Sequence, residues 1–359
     1  MENIANIIFC GGKSQGVNHP TQTRRFPRYA KRNNIGFSYF DIIKDISGII
    51  IVNQAADLTF WRRNKKSNVK LIFDANDPYL LDESRTFKRI FRGLFTFLAR
   101  KHKYLELDYN DTYLKLCKVA DVVVVGHYLL YEKLKDNLNN VVLLPDYSID
   151  MNIVTKEDFT FSQKDTIHIF WEGLGSSYLP FADINRIFLP FIGTYKFIFH
   201  FVTDLSFFSI GDIISKKYVF EVAKKESPDF YDSFRFYQWS EFAMNKIAIA
   251  CDFAIIPLPM DFSMNYYKPE NKLIHLWRMS VPTIVSAIPS YKRVMDEVKL
   301  FDYCVNDNEW RIKIIDFIEN DFKRKDNGKR GNSFVSFNYS NERIDKLWMD
   351  VFNVVNNEN

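Results

Sequence analysis

Cysteine is scarce in this 359-residue chain: Cys10, Cys117, Cys251 and Cys304 stand singly, with no CxxC pair and no spacing that would build a zinc site or a disulfide framework. A small disulfide-stapled scaffold is excluded, and a reducing compartment is the natural inference. Runs of about 18 apolar residues do not occur, and Met1–Asn6 lacks a basic segment leading into an apolar one. The expectation is a cytoplasmic protein that does not span a membrane. Internal repeats and low-complexity tracts are missing as well. A net charge of only +4, with no recognised binding motif, argues against nucleic acid as a partner.

Apolar bulk, in contrast, is plentiful. Apolar residues make up 47% of the chain and aromatics 16%, 34 of them Phe, which is enough for the cores of two domains and too much for a disordered chain. Charge is unevenly placed, +7 over residues 1–150 and −3 over the remainder. Much of the excess lies in 85–103, which has seven Lys/Arg and no carboxylate. There Phe87, Ile90, Phe91, Leu94, Phe95 and Leu98 recur at the spacing of one helical stripe, with Arg85, Arg89, Arg92 and Arg100 on the opposite side. Two readings are open. The stripe packs on its own core and the arginines are solvated, or the helix lies on an anionic bilayer.

Strands and helices alternate along the chain. Short apolar strands are expected at Asn6–Cys10, Gly48–Asn53, Val69–Phe73, Ala120–Val125 and Val141–Leu144, with helices near Arg24–Arg32, Arg85–Lys101 and Tyr128–Asn137. A polar bridge, Thr155–Asp165, leads to a second series. Its strands are expected at Thr166–Trp171, Phe197–Val202, Asp252–Pro257 and Thr283–Ser286, and its helices near Ile184–Phe191, Phe242–Ala250 and Asn271–Arg278. This alternation predicts an α/β protein of two Rossmann-like domains. Domain boundaries fall at 1–155 and 165–335. A terminal helix over 339–355 carries Ile344, Leu347, Trp348, Val351 and Phe352 on one face, with Ser340 as its cap.

Cys251–Pro259, Lys268–His275 and Val281–Ser286 read as a buried strand, a polar loop, a short helix opened by Pro269, and a second buried strand. Lys268, Asn271, Lys272 and the N–H groups at that helix start suit an anion, most plausibly a diphosphate. Ordinary surface solvation accounts equally simply for the lysines. Gly173 and Gly175, after the Thr166–Trp171 strand, let backbone approach a ligand, with Ser176 as a hydroxyl donor, or else form a plain turn. Asp74 and Asp77 follow the Val69–Phe73 strand, at the end where open α/β sheets bind ligands. Either could orient a hydroxyl or take its proton, and either could cap a turn. His127 ends another strand as a cleft candidate. Gly11, Gly12 and Gly16 make a loop without the acidic ribose partner of a dinucleotide fingerprint.

The order of a glycine-bearing first loop, the Ala120–Val125 strand, Ile169-Phe170-Trp171-Glu172-Gly173, the Trp239-Ser240-Glu241 turn and the PLP and KPENK segments resembles the retaining GT-B glycosyltransferases. The resemblance implies a C-terminal donor domain, an N-terminal acceptor domain and a last helix crossing back to the first. It implies a transferase (EC 2.4 class) moving a sugar from a nucleotide-sugar donor to a glycan or lipid-linked acceptor with retention. Bacterial surface polysaccharide synthesis is the family-level setting, at or near the inner face of the cell membrane. No metal cofactor is expected, since the donor region has no dense acidic cluster, and Lys268 and Lys272 take the leaving charge. The base would lie near Tyr237 and Trp239, unless these belong to the core. Retaining relatives carry Glu at the positions of His275 and Tyr267, and His275 can share only one ribose hydroxyl bond, unless Glu270 reaches in. The departure keeps open a glycosyltransferase-like binding or scaffold protein and a nucleotide-sugar epimerase of the same fold. A dehydrogenase ranks last.

Overall fold

A computed structural model describes residues 6–11, 24–40, 47–76, 80–81, 86–145, 153–161, 166–175, 179–208, 216–260 and 263–357. Gly12, Gly16, Asp77 and Ser176 lie outside the described residues. The chain divides into two compact units. One holds residues 1–150, 267–269 and 339–359, the other 151–266 and 270–338.

The first unit begins with β1 (Ile7–Cys10), α1 (Phe26–Arg32), β2 (Ser38–Tyr39), β3 (Gly48–Asn53) and α2 (Leu58–Asn64). It continues with β4 (Val69–Ala75), α3 (Thr86–Leu98), α4 (Tyr109–Val119), β5 (Val122–Val125), α5 (Tyr128–Lys135) and β6 (Val141–Leu143). All six strands are parallel in the order β2-β1-β3-β4-β5-β6. β3 and β5 are buried through almost their whole length, as their Ile and Val runs require of strands covered on both faces.

In the second unit the order is β7 (Thr166–Glu172), α6 (Phe181–Phe188), β8 (Lys196–Thr203), β9 (Ser206–Phe208), β10 (Lys216–Tyr218), α7 (Val219–Glu226), β11 (Phe234–Gln238) and α8 (Glu241–Ala250). There follow β12 (Phe253–Ile256), α9 (Ser263–Tyr266), α10 (Asn271–Arg278), β13 (Thr283–Ser286), α11 (Pro289–Val298), β14 (Tyr303–Cys304), α12 (Asp307–Glu319) and α13 (Asp321–Asn338). The sheet runs β11-β8-β7-β12-β13-β14, again all parallel. Ile167, Ile169 and Trp171 point into an aromatic-rich layer with Phe181, Phe188, Phe199 and Phe201. Alternation sends His168, Phe170 and Glu172 to the opposite face.

The last helix, α14 (Asn341–Asn357), returns to the first unit. Ile344, Trp348, Val351 and Val355 are buried with Phe9, Ile49, Ile72 and Val124. Trp348 stacks on Tyr29 at 5.8 Å, Arg32 Nε donates to Asp345 Oδ2 at 3.0 Å, and Ser340 Oγ accepts from Arg343 N at 3.2 Å as the expected cap.

Three local outcomes depart from the sequence pattern. The bridge over 153–161 is fastened to the second unit: Lys156 N donates to Met279 O at 2.8 Å, and buried Arg324 donates to Phe159 O at 2.7 Å. Helix α13 has no apolar stripe. Its buried positions, Arg324, Asn327, Gly328, Gly331 and Val335, keep helical spacing but are mostly polar or glycine, because Gly331 meets the Trp277 ring and Gly328 the Ser280 carbonyl. Helix α3 turns its apolar stripe outward, with Ile90, Phe91, Leu94, Phe95 and Leu98 between 38% and 68% exposed. Gly93 faces inward onto the Glu106 and Leu107 carbonyls, where a side chain would not fit. These five stripe residues therefore do not pack on the core.

Inside the first unit, Arg25 Nε donates to Asp74 Oδ1 at 2.7 Å and its Nη1 to Leu144 O at 2.8 Å, both residues being almost fully buried. Removing one partner strands the other charge in a dry interior. Asp74→Ala is expected to cost about 3–5 kcal/mol in urea unfolding; a loss under about 1 kcal/mol, the level of a solvated surface pair, contradicts the buried pairing.

Candidate functional site

The carboxyl edge of the second sheet gathers the donor-side candidates. Glu172 is the last residue of β7 and is missing from the expected site. Its Oε1 accepts from Trp239 Nε1 at 2.9 Å, its carbonyl accepts from Lys272 Nζ at 2.8 Å, and its Oε2 lies 3.9 Å from the same ammonium. Lys272 also sits 5.3 Å from the Trp171 ring centroid. One strand end therefore fixes a half-buried indole and a half-buried cation. The period-two reading of β7 carried the signal, since it puts Glu172 on the face away from the aromatic layer.

Gly173 completes the arrangement. A Cβ there would come 2.5 Å from the Trp171 ring and 2.9 Å from Lys272 Nζ. A Cβ on Gly175 would come 2.7 Å from the Asp204 carbonyl oxygen, so this glycine serves packing against the β8 end.

Helix α10 starts at Asn271 with Glu270 in the N-cap position, two residues later than a Pro269 start implies. Leu273, Ile274, Leu276 and Trp277 are buried, while Asn271, Lys272 and His275 are half-buried on the other side. Glu270 does not cap with its side chain. Instead its Oε1 accepts from Arg293 Nη2 at 2.6 Å. Fully buried Tyr291 has its phenol pushed up by burial first and by the Glu172 and Glu270 charges next. Beyond β12, Ser286 Oγ accepts from Leu258 N at 2.7 Å and pins the Pro257-Leu258-Pro259 turn. Lys268 is half-buried and groups with the first unit.

Tyr237 stands in one row with Glu172 across the sheet, both paired in register with Val202. Its hydroxyl is 3.1 Å from His200 Nδ1, and His200 Nε2 is 2.9 Å from His168 Nδ1. Burial lowers His200 from 6.5 to about 4, with His168 and Arg235 adding to the effect.

On the first sheet, Gly11 follows β1 and is half-buried. Asp74 is engaged by Arg25, and buried His127 is the N-cap of α5, its Nδ1 accepting from Leu129 N at 3.1 Å. Both are engaged within this unit. Among the described residues, no three His, Cys, Asp or Glu side chains converge as metal ligands.

A groove of about 850 Å³ on the second unit runs from the Pro257-Leu258-Pro259 turn and Ser286 to α6 and the start of α12. Of its two arginines, Arg186 is paired with Asp183 at 2.5 Å and with Asp307, while Arg311 donates to the Arg186 carbonyl at 3.2 Å.

No model of a protein family and no curated protein matches the sequence. Solved structures do match in shape. A glycosyltransferase from Rickettsia africae is 11% identical, with 99% of this chain covering 100% of that one at a TM-score of 0.59. These two sheets and the returning helix have the GT-B fold. TarM from S. aureus, solved with fondaparinux, α-GlcNAc-glycerol and UDP, is 11% identical over 85% of this chain and 55% of its own, at 0.57. This GT-B chain thus spans little more than half of TarM. Sucrose-phosphate synthase from Thermosynechococcus elongatus is 12% identical over 85% of this chain and 73% of its own, also at 0.57. At such identities the likeness concerns the fold.

Gly173→Ala forces Trp171 or Lys272 to move and is expected to cost about 1–3 kcal/mol, read by urea unfolding; an unchanged midpoint contradicts the close packing. For His200, the unfolded chain takes up a proton between pH 6.5 and about 4 that the folded chain refuses. Its contribution is therefore complete above 6.5 and is lost as pH falls through that window. His200→Gln should flatten the decline of the thermal midpoint there, and an unchanged slope counts against the half-buried neutral imidazole.

Proposed function

We propose that the protein is a glycosyltransferase that moves a sugar from a nucleotide-sugar donor, bound by the second unit, to a glycan or lipid-linked acceptor. Retention at the anomeric carbon, and a role in bacterial surface polysaccharide synthesis on the cytoplasmic side, belong to the same proposal. Its main support is the cluster at the carboxyl edge of the second sheet of a GT-B fold. There Lys272 and the amino end of α10 adjoin the Gly173 backbone, and Trp239 is fixed by Glu172.

A departing nucleoside diphosphate gathers negative charge as the sugar bond breaks. Lys272 and the α10 N–H groups meet that charge, so the reaction needs no metal ion. The sugar passes through an oxocarbenium-like state. The acceptor oxygen bonds the anomeric carbon on the face from which the diphosphate departs, and the hydroxyl proton goes to a diphosphate oxygen. Tyr237 and Trp239 flank the base, and His275 takes one ribose hydroxyl. A uridine nucleotide is the first to try, because the TarM structure holds UDP.

The lack of carboxylates at His275 and Tyr267 favours one other reading, a binding protein of this fold without turnover. A thermal-shift panel of uridine, guanosine and cytidine nucleotides and their sugars separates the possibilities. One class should raise the midpoint by a few degrees at about 100-fold its Kd, and Lys272→Met should weaken that nucleotide about tenfold or more with the unliganded midpoint unchanged. Flat curves for every nucleotide contradict the donor site. Sugar transfer measured by mass spectrometry then distinguishes the enzyme from the binder, and an altered sugar without acceptor points to an epimerase.

A further inference from the structure

We infer that the outward face of α3 is a docking surface for an anionic lipid bilayer. Ile90, Phe91, Leu94, Phe95 and Leu98 form one exposed stripe, with the Phe91 and Phe95 rings stacked at 6.3 Å and 17°. Leu105 and Leu107 are about as exposed, and they lie on the segment that passes beneath α3 at Gly93. The stripe alone exposes on the order of 500 Å² of apolar side chain, the size of the largest patch on a typical soluble monomer. Its inner side is already used. Gly93 abuts the Glu106 and Leu107 carbonyls, and Arg92 lies 5.6 Å from the Tyr109 ring. The helix therefore cannot roll its apolar side inward without losing that seat.

Charge identifies the occupant. Residues 85–103 hold seven Lys/Arg and no Asp/Glu, and exposed Arg100, Lys101 and Lys103 stand at the carboxyl end of the stripe. Cations beside a Phe/Leu/Ile face match phosphate headgroups above acyl chains. A second copy of this chain would bring the same positive face against itself. A protein partner is fixed by polar contacts around its apolar centre, whereas the exposed stripe positions of α3 are Phe, Leu and Ile alone. The 13 residues of α3 extend about 20 Å, too short for a core of about 30 Å, so the helix lies in the plane of the interface. This surface goes beyond the transfer reaction and stands without it.

Vesicle flotation of the full chain, with no nucleotide present, tests the inference. The protein should float with phosphatidylcholine vesicles containing about 30% phosphatidylserine and much less with phosphatidylcholine alone. Salt at about 0.5 M should release most of it. Phe91→Glu/Phe95→Glu, at exposed positions and so expected to melt as the parent does, should reduce partitioning about tenfold or more. Arg100→Glu/Lys101→Glu/Lys103→Glu should abolish the preference for the anionic vesicles. Parent protein that stays down with anionic vesicles overturns the inference whatever the variants do. So does equal flotation of parent and Phe variant, or a concentration-dependent dimer that the Phe variant dissolves without any change in flotation.

Discussion

Glu172 is the constraint on which the second unit's carboxyl edge depends. It is a strand residue first, held in the β7 ladder opposite Val202 of β8. That rigidity passes to two side chains from distant parts of the chain, the Trp239 indole through the carboxylate and the Lys272 ammonium through the carbonyl. Without that strand end, a lysine carries substantial rotamer entropy and points wherever solvent takes it. With it, the cation stays beside the backbone of Gly173, where a side chain would displace it.

The same edge is supported from below by polar groups inside the core. Asn327 on α13 accepts from Trp277 Nε1 at 3.2 Å and from Thr283 N at 3.0 Å, and donates to Asp302 at 2.8 Å. One amide thus joins α10, β13 and the start of β14. Gly331 brings α13 against the Trp277 ring, and Glu270 is held by Arg293 on α11. The helix that presents Lys272 is therefore clamped along its buried side. Satisfied buried networks of this sort rigidify their surroundings.

Much of the fold was legible because buried parallel strands are written in Ile, Val and Phe. Gly48–Asn53, Asn271–Arg278 and Thr283–Ser286 form the elements their patterns predict, with the same ends. α13 was not legible, because its buried stripe consists of Arg324, Asn327 and two glycines selected by close helix approach. α3 was legible as a helix but not as to its partner, since periodicity says which residues share a face and nothing about what that face meets. Within the site, Lys272, Gly173 and Trp239 could be picked from their motifs. Glu172 was missed: the period-two pattern of β7 gave its face, but the partners that give it importance lie 67 and 100 residues along the chain. Asp74 and His127 looked chemical from their places at strand ends, yet Arg25 and the α5 amino end engage them.

The central claim is that this carboxyl edge receives a nucleoside diphosphate. Its most direct test is a crystal structure of the protein with whichever nucleotide stabilises it. The account predicts diphosphate oxygens within hydrogen-bond distance of Lys272 Nζ and the first N–H groups of α10, with the base beside Tyr237 or Trp239. A diphosphate bound instead in the groove of Arg186 and Arg311, with Lys272 still turned to Glu172, would contradict it.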